Sequence, residues 1–162
     1  MSYPEPVYRG EAGEISARVR RADATPELLN PAGSCSYLAT GASTHGLFGL
    51  YRWDMDGPPT GPGPHFHRGL AESFFVLSGA MRLYDGNGWV DAGPGDYLYV
   101  PEGGVHGFRN ESGEPASMLI LFAPGAPRER FFLELAEIGA AGRELSDGEW
   151  AEVYARHDQT MA

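Results

Sequence analysis

Three histidines and one glutamate stand at spacings that suit metal coordination. His65, His67 and Glu72 lie in one short stretch of the chain, and His106 lies in a second. Imidazole nitrogens combined with a carboxylate oxygen suit Fe(II), Mn(II), Co(II), Ni(II), Cu(II) or Zn(II), whereas Ca(II) prefers oxygen ligands alone and thiolate sites need cysteines. The residues therefore predict one site for a divalent transition metal, and the ligand types leave the identity of the metal open.

The same spacings predict which face of a β-strand each ligand side chain occupies. On a strand, the two histidines of the first stretch point to one face, about 7 Å apart along the chain. Glu72 follows His67 by five residues, which on an unbroken strand would put it on the opposite face, so a turn or bulge at Arg68 and Gly69 must restore the alternation. The turn residues at 101–104 predict that a second hairpin folds back and brings His106 to the other ligands.

Short apolar runs separated by turn residues predict an all-β architecture. The 23 Gly and 13 Pro are spread along the chain and bound these runs. The strands predicted in this way are residues 36–40, 47–53, 72–77, 80–84, 88–90, 97–100, 107–110 and 117–122. The Pro- and Gly-rich stretch 57–64 is predicted to be a loop that delivers His65 to its strand. Strands at such short intervals are typical of a sandwich or barrel.

The end of the sequence changes to a helical pattern. Phe131, Leu135 and Ile138 recur at i, i+4 and i+7, and glycines follow as stop signals, which indicates one amphipathic helix. Ser146 and Glu149 form a capping-box pattern before a second apolar stripe, which indicates another. We expect the first helix either to cap the mouth of the barrel or to cover its outside.

Length and composition favour a single acidic domain. At 162 residues the chain is long enough for one core, and we expect residues 1–35 to form an N-terminal arm and the first strands, 36–125 the barrel with its metal site, and 126–162 the helices. The net charge of -10 disfavours nucleic acid, and no apolar run approaches the roughly 20 residues that span a bilayer. The lone Cys35 and the absence of a signal-peptide pattern predict a cytoplasmic protein.

The ligand stretches resemble the two signature motifs of the cupin superfamily over roughly residues 47–122. The first motif reads His65-x-His67, four residues, Glu72, six residues, Gly79, and the second reads Gly95, five residues, Pro101-x-Gly103, two residues, His106, three residues, Asn110. The second matches at every position. The first departs only at its start, where Pro59 stands in place of the usual glycine, which bears on loop shape and not on ligation.

This resemblance implies a small jelly-roll barrel of the double-stranded β-helix type, with a C-terminal α-helical segment. It implies that His65, His67, Glu72 and His106 bind the metal inside the barrel. It also implies a homodimer in which an N-terminal strand joins the partner's sheet; residues 3–15 would be this arm or a disordered segment. In general layout and ligand set, the chain is most similar to quercetin 2,3-dioxygenase-like cupins, which implies that Glu72 is both metal ligand and general base.

Strand alternation suggests which residues meet a small-molecule substrate. If Glu72 points inward, Phe74 and Val76 share its face, and Phe108 shares that of His106. Such walls would suit a flat apolar substrate, although the same residues would serve equally as barrel core. The predicted substrate-binding residues are Phe48, Leu50, Arg52, Phe74, Val76, Tyr97, Tyr99 and Phe108. Arg52 is predicted either to meet an anionic group of the substrate or to lie solvated at the rim.

Three functions are compatible with this site. The first is a dioxygenase that acts on a flavonol-like, phenolic or enediol substrate, because that chemistry needs a metal with open positions and an adjacent base. The second is an isomerase, lyase or aromatic polyketide cyclase that uses the metal as a Lewis acid. The third is a non-catalytic small-molecule-binding or sensing module, because a fold does not fix a function.

Overall fold

Strands dominate the regular structure of residues 2–162, the part of the chain that the computed structural model describes. In chain order the elements are β1 (Leu28–Asn30), β2 (Gly33–Ala39), β3 (Gly49–Met55), β4 (His65–Phe66), β5 (Ala71–Ser78), β6 (Met81–Tyr84), β7 (Trp89–Ala92), β8 (Tyr97–Val100), β9 (Gly107–Arg109), β10 (Ala116–Ala123), α1 (Arg128–Ala140), α2 (Asp147–Arg156) and β11 (Thr160–Met161). The predicted all-β class with a C-terminal helical segment is confirmed.

The strands pair in three antiparallel sheets. A six-stranded sheet has the order β1-β2-β3-β10-β5-β8, a three-stranded sheet has the order β7-β6-β9, and β11 pairs with β4. Long strand β10 lies between β3 and β5 and is the most buried strand of the large sheet. The non-sequential neighbours show that chain segments far apart in sequence meet in this sheet, and the motif residues of β5 thus lie beside β10, which in turn pairs with β3.

The inner face of the large sheet supplies most of the core. On β5, Glu72, Phe74 and Val76 alternate as buried residues with more exposed neighbours, as the two-residue period of a strand requires. Across the sheet, Phe122 pairs with Glu72 and Ile120 pairs with Phe74. The carboxylate of Glu72 is thus buried directly among apolar side chains. Because burying an unpaired charge costs free energy, this carboxylate needs a positively charged or hydrogen-bonding partner.

Helix α1 closes the core at one end of the barrel. Its buried Phe132 ring meets the rings of Tyr51 and Trp53 edge-on, with centroids 5.3 and 5.2 Å apart. Phe131 and Ile138 are buried on the same helix. Helix α2 begins with the predicted capping box, in which the Ser146 hydroxyl accepts from the Glu149 backbone N–H.

The bounds of three very short strands were not predicted, because two or three residues give no periodic signal. They are β1, β4 and β11, and the last two pair with each other and not with the large sheet. Residues 2–27 hold no strand or helix and are mostly exposed, and the N-terminal arm stays a prediction. Within residues 2–162, no helix has the length and apolar character needed to cross a membrane. The predicted homodimer and cellular compartment stay predictions.

Candidate metal centre and its cavity

The four predicted ligand side chains converge at one buried point. His65 lies in β4, His67 directly after it, Glu72 in β5 and His106 just before β9. One potential ligand atom from each residue lies within 4.8 Å of the corresponding atom of every other. All four residues are at most 4% exposed. The two sequence motifs therefore meet in space, as their spacing predicted.

Backbone hydrogen bonds join the two ligand-bearing segments. The N–H of His65 donates to the carbonyl of His106, and the N–H of His106 donates to the carbonyl of His65, each at 2.8 Å. Gly103 donates its N–H to the carbonyl of His67 at 2.7 Å. Gly103 has a φ of +79°, which suits glycine and lets the turn at residues 101–104 reach the first segment. The predicted return of the second hairpin is confirmed.

The predicted change of strand alternation also lies at Arg68 and Gly69. The chain leaves β4, bends at these two residues and enters β5 with Glu72 facing inward. Their backbone N–H groups donate to the carboxylate of Asp158, at 3.0 and 2.8 Å. Asp158 comes from the C-terminal segment between α2 and β11, so a distant part of the chain holds this bend.

Each ligand imidazole is oriented by a carbonyl group. The Nδ1 of His65 lies 2.9 Å from the carbonyl of Gly63, and the Nδ1 of His106 lies 2.9 Å from that of Gly104. The Nδ1 of His67 is bonded in the same way to the carbonyl of Asp158. A carbonyl oxygen only accepts hydrogen bonds, so each Nδ1 carries a proton, and each ring, once its Nε2 is deprotonated, presents that lone pair to the centre.

These lone pairs face the Glu72 carboxylate. The Nε2 atoms of His67 and His106 lie 3.0 and 2.7 Å from Oε2 of Glu72. Two acceptors this close repel each other unless a cation lies between them, which is either a proton on an imidazole or a metal ion. The donor set, its burial and the convergence of the Nε2 atoms therefore fit a divalent transition metal.

Burial and mutual interactions lower the pKa values of Glu72 and His65 and raise that of His106. Burial alone would raise the pKa of Glu72, but hydrogen bonds from His106 and His67 outweigh it and lower the pKa to about 2. Burial lowers the pKa of His65 to about 4, and the charge of His106 acts in the same direction. Burial also acts to lower the pKa of His106, yet its hydrogen bond to Glu72 raises it above the usual value. The carboxylate is thus ionised and the cluster is built to hold positive charge beside it.

A cavity of about 330 Å³ opens beside the cluster. His65 and Glu72 form part of its wall, and Trp53, Phe108, Phe122, Phe131 and Phe132 contribute aromatic surface. The other lining residues are Met55, Thr60, Gly61, Pro62, Ile120, Arg128, Leu135, Tyr154 and Gln159. Since α1 and α2 supply several of these residues, the helical segment caps the barrel mouth, which decides between the two placements expected from the sequence.

Of the predicted substrate-binding residues, only Phe108 lines this cavity. Phe74 and Val76 are on the inner face, as expected, but they are fully buried. The Phe74 ring packs 5.7 Å from the His106 ring and 5.6 Å from the Phe108 ring. Phe74 therefore packs behind His106, and neither Phe74 nor Val76 lines the cavity.

The other five predicted residues do not line this cavity, and four of them lie on the outer face of two strands. On β3, Leu50 and Arg52 alternate with the buried Tyr51 and lie on the outer face, where Arg52 pairs with Asp54 at 2.8 Å. On β8, the mostly exposed Tyr97 and Tyr99 pair with Phe75 and Ser73 across the sheet, on the face opposite Glu72. Phe48 precedes β3 and is only half-buried. Both faces of β3 carry apolar residues, so alternation alone did not choose between them.

The most informative lining residue that sequence reasoning missed is Arg128, the first residue of α1. A signal for it was present: Arg128 shares the i, i+3, i+4, i+7 stripe with Phe131, Phe132 and Leu135, so it belongs to the face that packs on the barrel. Gln159 was missed as well, because it lies in a short non-helical segment with no pattern of its own.

Comparison with known proteins agrees with this geometry. The family described as "Cupin domain" matches residues 53–122, which include all four converging residues. Quercetin 2,3-dioxygenase of Bacillus subtilis (strain 168) is 33% identical over 73 residues, which are 45% of this chain and 21% of that enzyme. The chain therefore spans about a fifth of the length of this curated relative.

Two solved structures extend the comparison to the fold. A conserved protein with a double-stranded β-helix domain from Klebsiella pneumoniae aligns with a TM-score of 0.54 at 23% identity, covering 68% of this chain and 93% of that chain. The polyketide cyclase RemF from Streptomyces resistomycificus aligns with a TM-score of 0.55 at 26% identity, covering 66% of this chain and 78% of that chain. The predicted double-stranded β-helix is confirmed.

Proposed function

We propose that this member of the cupin superfamily is a metal-dependent dioxygenase that acts on a flavonol-like, phenolic or enediol substrate. One observation carries the proposal: three Nε2 lone pairs and one carboxylate converge where an apolar cavity begins. The similarity of 73 residues to a quercetin 2,3-dioxygenase supports the choice of oxygen chemistry.

Four side chains of this protein would coordinate the metal ion. The Nε2 atoms of His65, His67 and His106 and the carboxylate of Glu72 would hold a divalent ion. When bound, such an ion with open coordination positions would polarise a chelating substrate and bring dioxygen next to it. The three histidines would keep their positions throughout, because a carbonyl group fixes the Nδ1 of each ring.

Glu72 would also act as general base. It is the one carboxylate in the cavity wall, and it is ionised, so it would accept the proton of a substrate hydroxyl at a carboxylate oxygen. The deprotonated substrate oxygen would then be electron-rich and ready for oxidation. The aromatic walls from Trp53, Phe108 and Phe132 would exclude water from the reacting face.

The direct test is metal analysis followed by oxygen uptake. Protein expressed in metal-balanced medium is analysed for its elements and then assayed for dioxygen consumption with a panel of flavonols, catechols and enediols. Iron, nickel or manganese with substrate-dependent uptake is the expected result. Metal-loaded protein that consumes no dioxygen with any member of the panel would contradict the proposal.

The role of Glu72 is tested by Glu72→Gln. The amide can coordinate weakly but does not accept a proton, so turnover should fall on the order of a hundredfold or more while measurable metal remains. Glu137→Gln, an exposed change of the same chemistry on α1, is the matched control and should leave turnover unchanged. Full activity of Glu72→Gln would remove the base assignment.

A second candidate is Lewis-acid chemistry without oxygen, such as the cyclisation of an aromatic polyketide. The observation in its favour is the structural similarity to a polyketide cyclase at 26% identity. The same panel, extended to poly-β-keto substrates and repeated under anaerobic conditions, separates the two. Turnover without dioxygen and without oxygen incorporation favours the second candidate, and binding without any turnover favours a small-molecule-binding module.

A further inference from the structure

The cavity wall contains a buried positive charge that the proposed metal chemistry does not use. Arg128 is 4% exposed and lines the same cavity as His65 and Glu72. Arginine is almost never buried to this degree without a partner of opposite charge. The groups that contact the guanidinium therefore bear on the role of its charge.

The protein binds the guanidinium of Arg128 with neutral groups only. Nη1 donates to the carbonyl of His157 at 2.7 Å, and Nη2 donates to Oε1 of Gln159 at 3.3 Å. Nε is buried and has no hydrogen-bond partner among the described residues. A guanidinium has five N–H groups, so part of its donor capacity is unused.

Aromatic rings complete the environment of this charge. The Cζ atom of Arg128 lies 5.0, 4.6 and 5.7 Å from the ring centroids of Phe122, Phe131 and Phe132. Ring faces attract a cation, which helps to keep Arg128 charged in an apolar wall, but they leave its charge uncompensated. Burial lowers the pKa of Arg128, and the largest opposing influences on this pKa are the negative charges of Glu72 and Asp158.

In the part of the chain that the structure describes, neither carboxylate forms a hydrogen bond or an ion pair with Arg128, and each is bonded elsewhere. Glu72 faces the histidine cluster through Oε2, and Asp158 holds the backbone N–H groups of Arg68 and Gly69. With a divalent ion on the cluster, the charges of the ion, Glu72, Arg128 and Asp158 sum to one net positive charge beside one small cavity. An anion that enters this cavity is therefore favoured over a neutral molecule of the same shape.

We propose that Arg128 selects substrates that carry a carboxylate, so that the natural substrate is a small aromatic or unsaturated acid. This deepens the proposed function and rests on it for the reaction, although not for the binding. A cavity of about 330 Å³ is at the small end of ligand sites, which favours a molecule of one or two rings. The carboxylate would lie toward the α1 side of the cavity and the reacting oxygen toward Glu72.

The test compares an acid with its neutral amide. Binding of cinnamate and cinnamamide is measured by titration calorimetry with the full chain, once freed of metal and once loaded with redox-inert zinc. The acid should bind at least about tenfold more tightly than the amide in both forms, because a charge-assisted hydrogen bond is worth at least that ratio. No preference for the acid in the metal-free wild-type protein overturns the proposal without any variant.

Variants assign the preference to Arg128. Arg128→Gln should abolish the preference for cinnamate, and Arg128→Lys should keep a reduced one. Arg130→Gln, the same change two residues along α1 on its exposed side, is the matched control and should bind as the wild type does. If Arg128 only anchors the C-terminal segment, Arg128→Gln weakens both ligands equally, which contradicts the proposal.

The two proposals fail in different ways. A protein that prefers the acid but consumes no dioxygen retains the binding inference and loses the dioxygenase. A protein that consumes dioxygen with neutral phenols and shows no preference for the acid retains the dioxygenase and loses the role of Arg128.

Discussion

The two halves of the metal centre are supported in different ways. His106 takes its carbonyl partner from Gly104, only two residues away, and the turn at residues 101–104 holds it locally. His67 takes its partner from Asp158, which is 91 residues away, and the bend after His67 also depends on Asp158. The second motif is thus largely self-contained, whereas the first is completed by the C-terminal segment. A sequence motif can therefore be intact while part of its support lies outside it.

Removing a ligand should have the largest effect. We expect His67→Ala to empty the site, because one Nε2 donor is lost from a set of four. Elemental analysis after purification measures the loss. His45→Asn is the matched control, since His45 is exposed and has a φ of 55°, a conformation that Asn tolerates. Unchanged metal stoichiometry in His67→Ala would remove His67 from the ligand set.

Removing the distant support should have the next largest effect. Asp158→Gly keeps the carbonyl that orients His67 and permits the φ of 50° at this position, but it removes both carboxylate acceptors. Metal affinity should fall roughly tenfold to a hundredfold, as is usual when a supporting partner of a ligand is lost. Competition with a chromogenic chelator measures the affinity.

The matched control for Asp158→Gly is Asp85→Gly. The Asp85 carboxylate also accepts two backbone N–H groups, from Asn87 and Gly88, in a turn between β6 and β7. It should leave metal affinity unchanged. If Asp158→Gly lost no more metal affinity than Asp85→Gly, the carboxylate of Asp158 would have no specific role in supporting the first motif. The contrast between the two halves would then disappear.

Straining the local turn should have the smallest effect. Gly103 has a φ of +79°, and a Cβ there would meet no atom within 4 Å, so Gly103→Ala adds backbone strain alone. We expect a loss of about 1–2 kcal/mol in the free energy of unfolding, with the metal site still filled. Chemical denaturation measures it, with Gly93→Ala, an open position without a positive φ, as control. A loss of metal in Gly103→Ala would show that metal binding depends on this turn as strongly as it depends on the support of the first motif.

Local signals predicted the all-β class and the converging ligand residues, whereas the double-stranded β-helix was implied by the family resemblance. The strand predicted at residues 97–100 has the bounds of β8, and the ligand positions followed from two-residue alternation with one reset at Arg68 and Gly69. The capping box at Ser146 was equally readable. In each case the information lies within a few residues, which is the range over which a single sequence is informative.

The cavity was harder to predict, because its walls come from segments far apart in sequence. Trp53 and Arg52 are neighbours on a strand with apolar residues on both faces, and tertiary packing, such as that of Phe132 of α1 on Trp53, shows which face is inward. Arg128 and Gln159 meet in space although they are 31 residues apart. Such contacts depend on topology, which periodicity does not encode.

The pairing of β4 with β11 has a consequence for the order of assembly. A chain emerges from the ribosome with its N-terminal part first. His65, His67, Glu72 and His106 are therefore all present well before Thr160 and Met161 can pair with β4. Closing this long loop costs more conformational entropy than forming the turn beside His106, and it is therefore slower. The centre should consequently mature in two stages, with a loose early pocket and a final locking step that waits for residues 158–161.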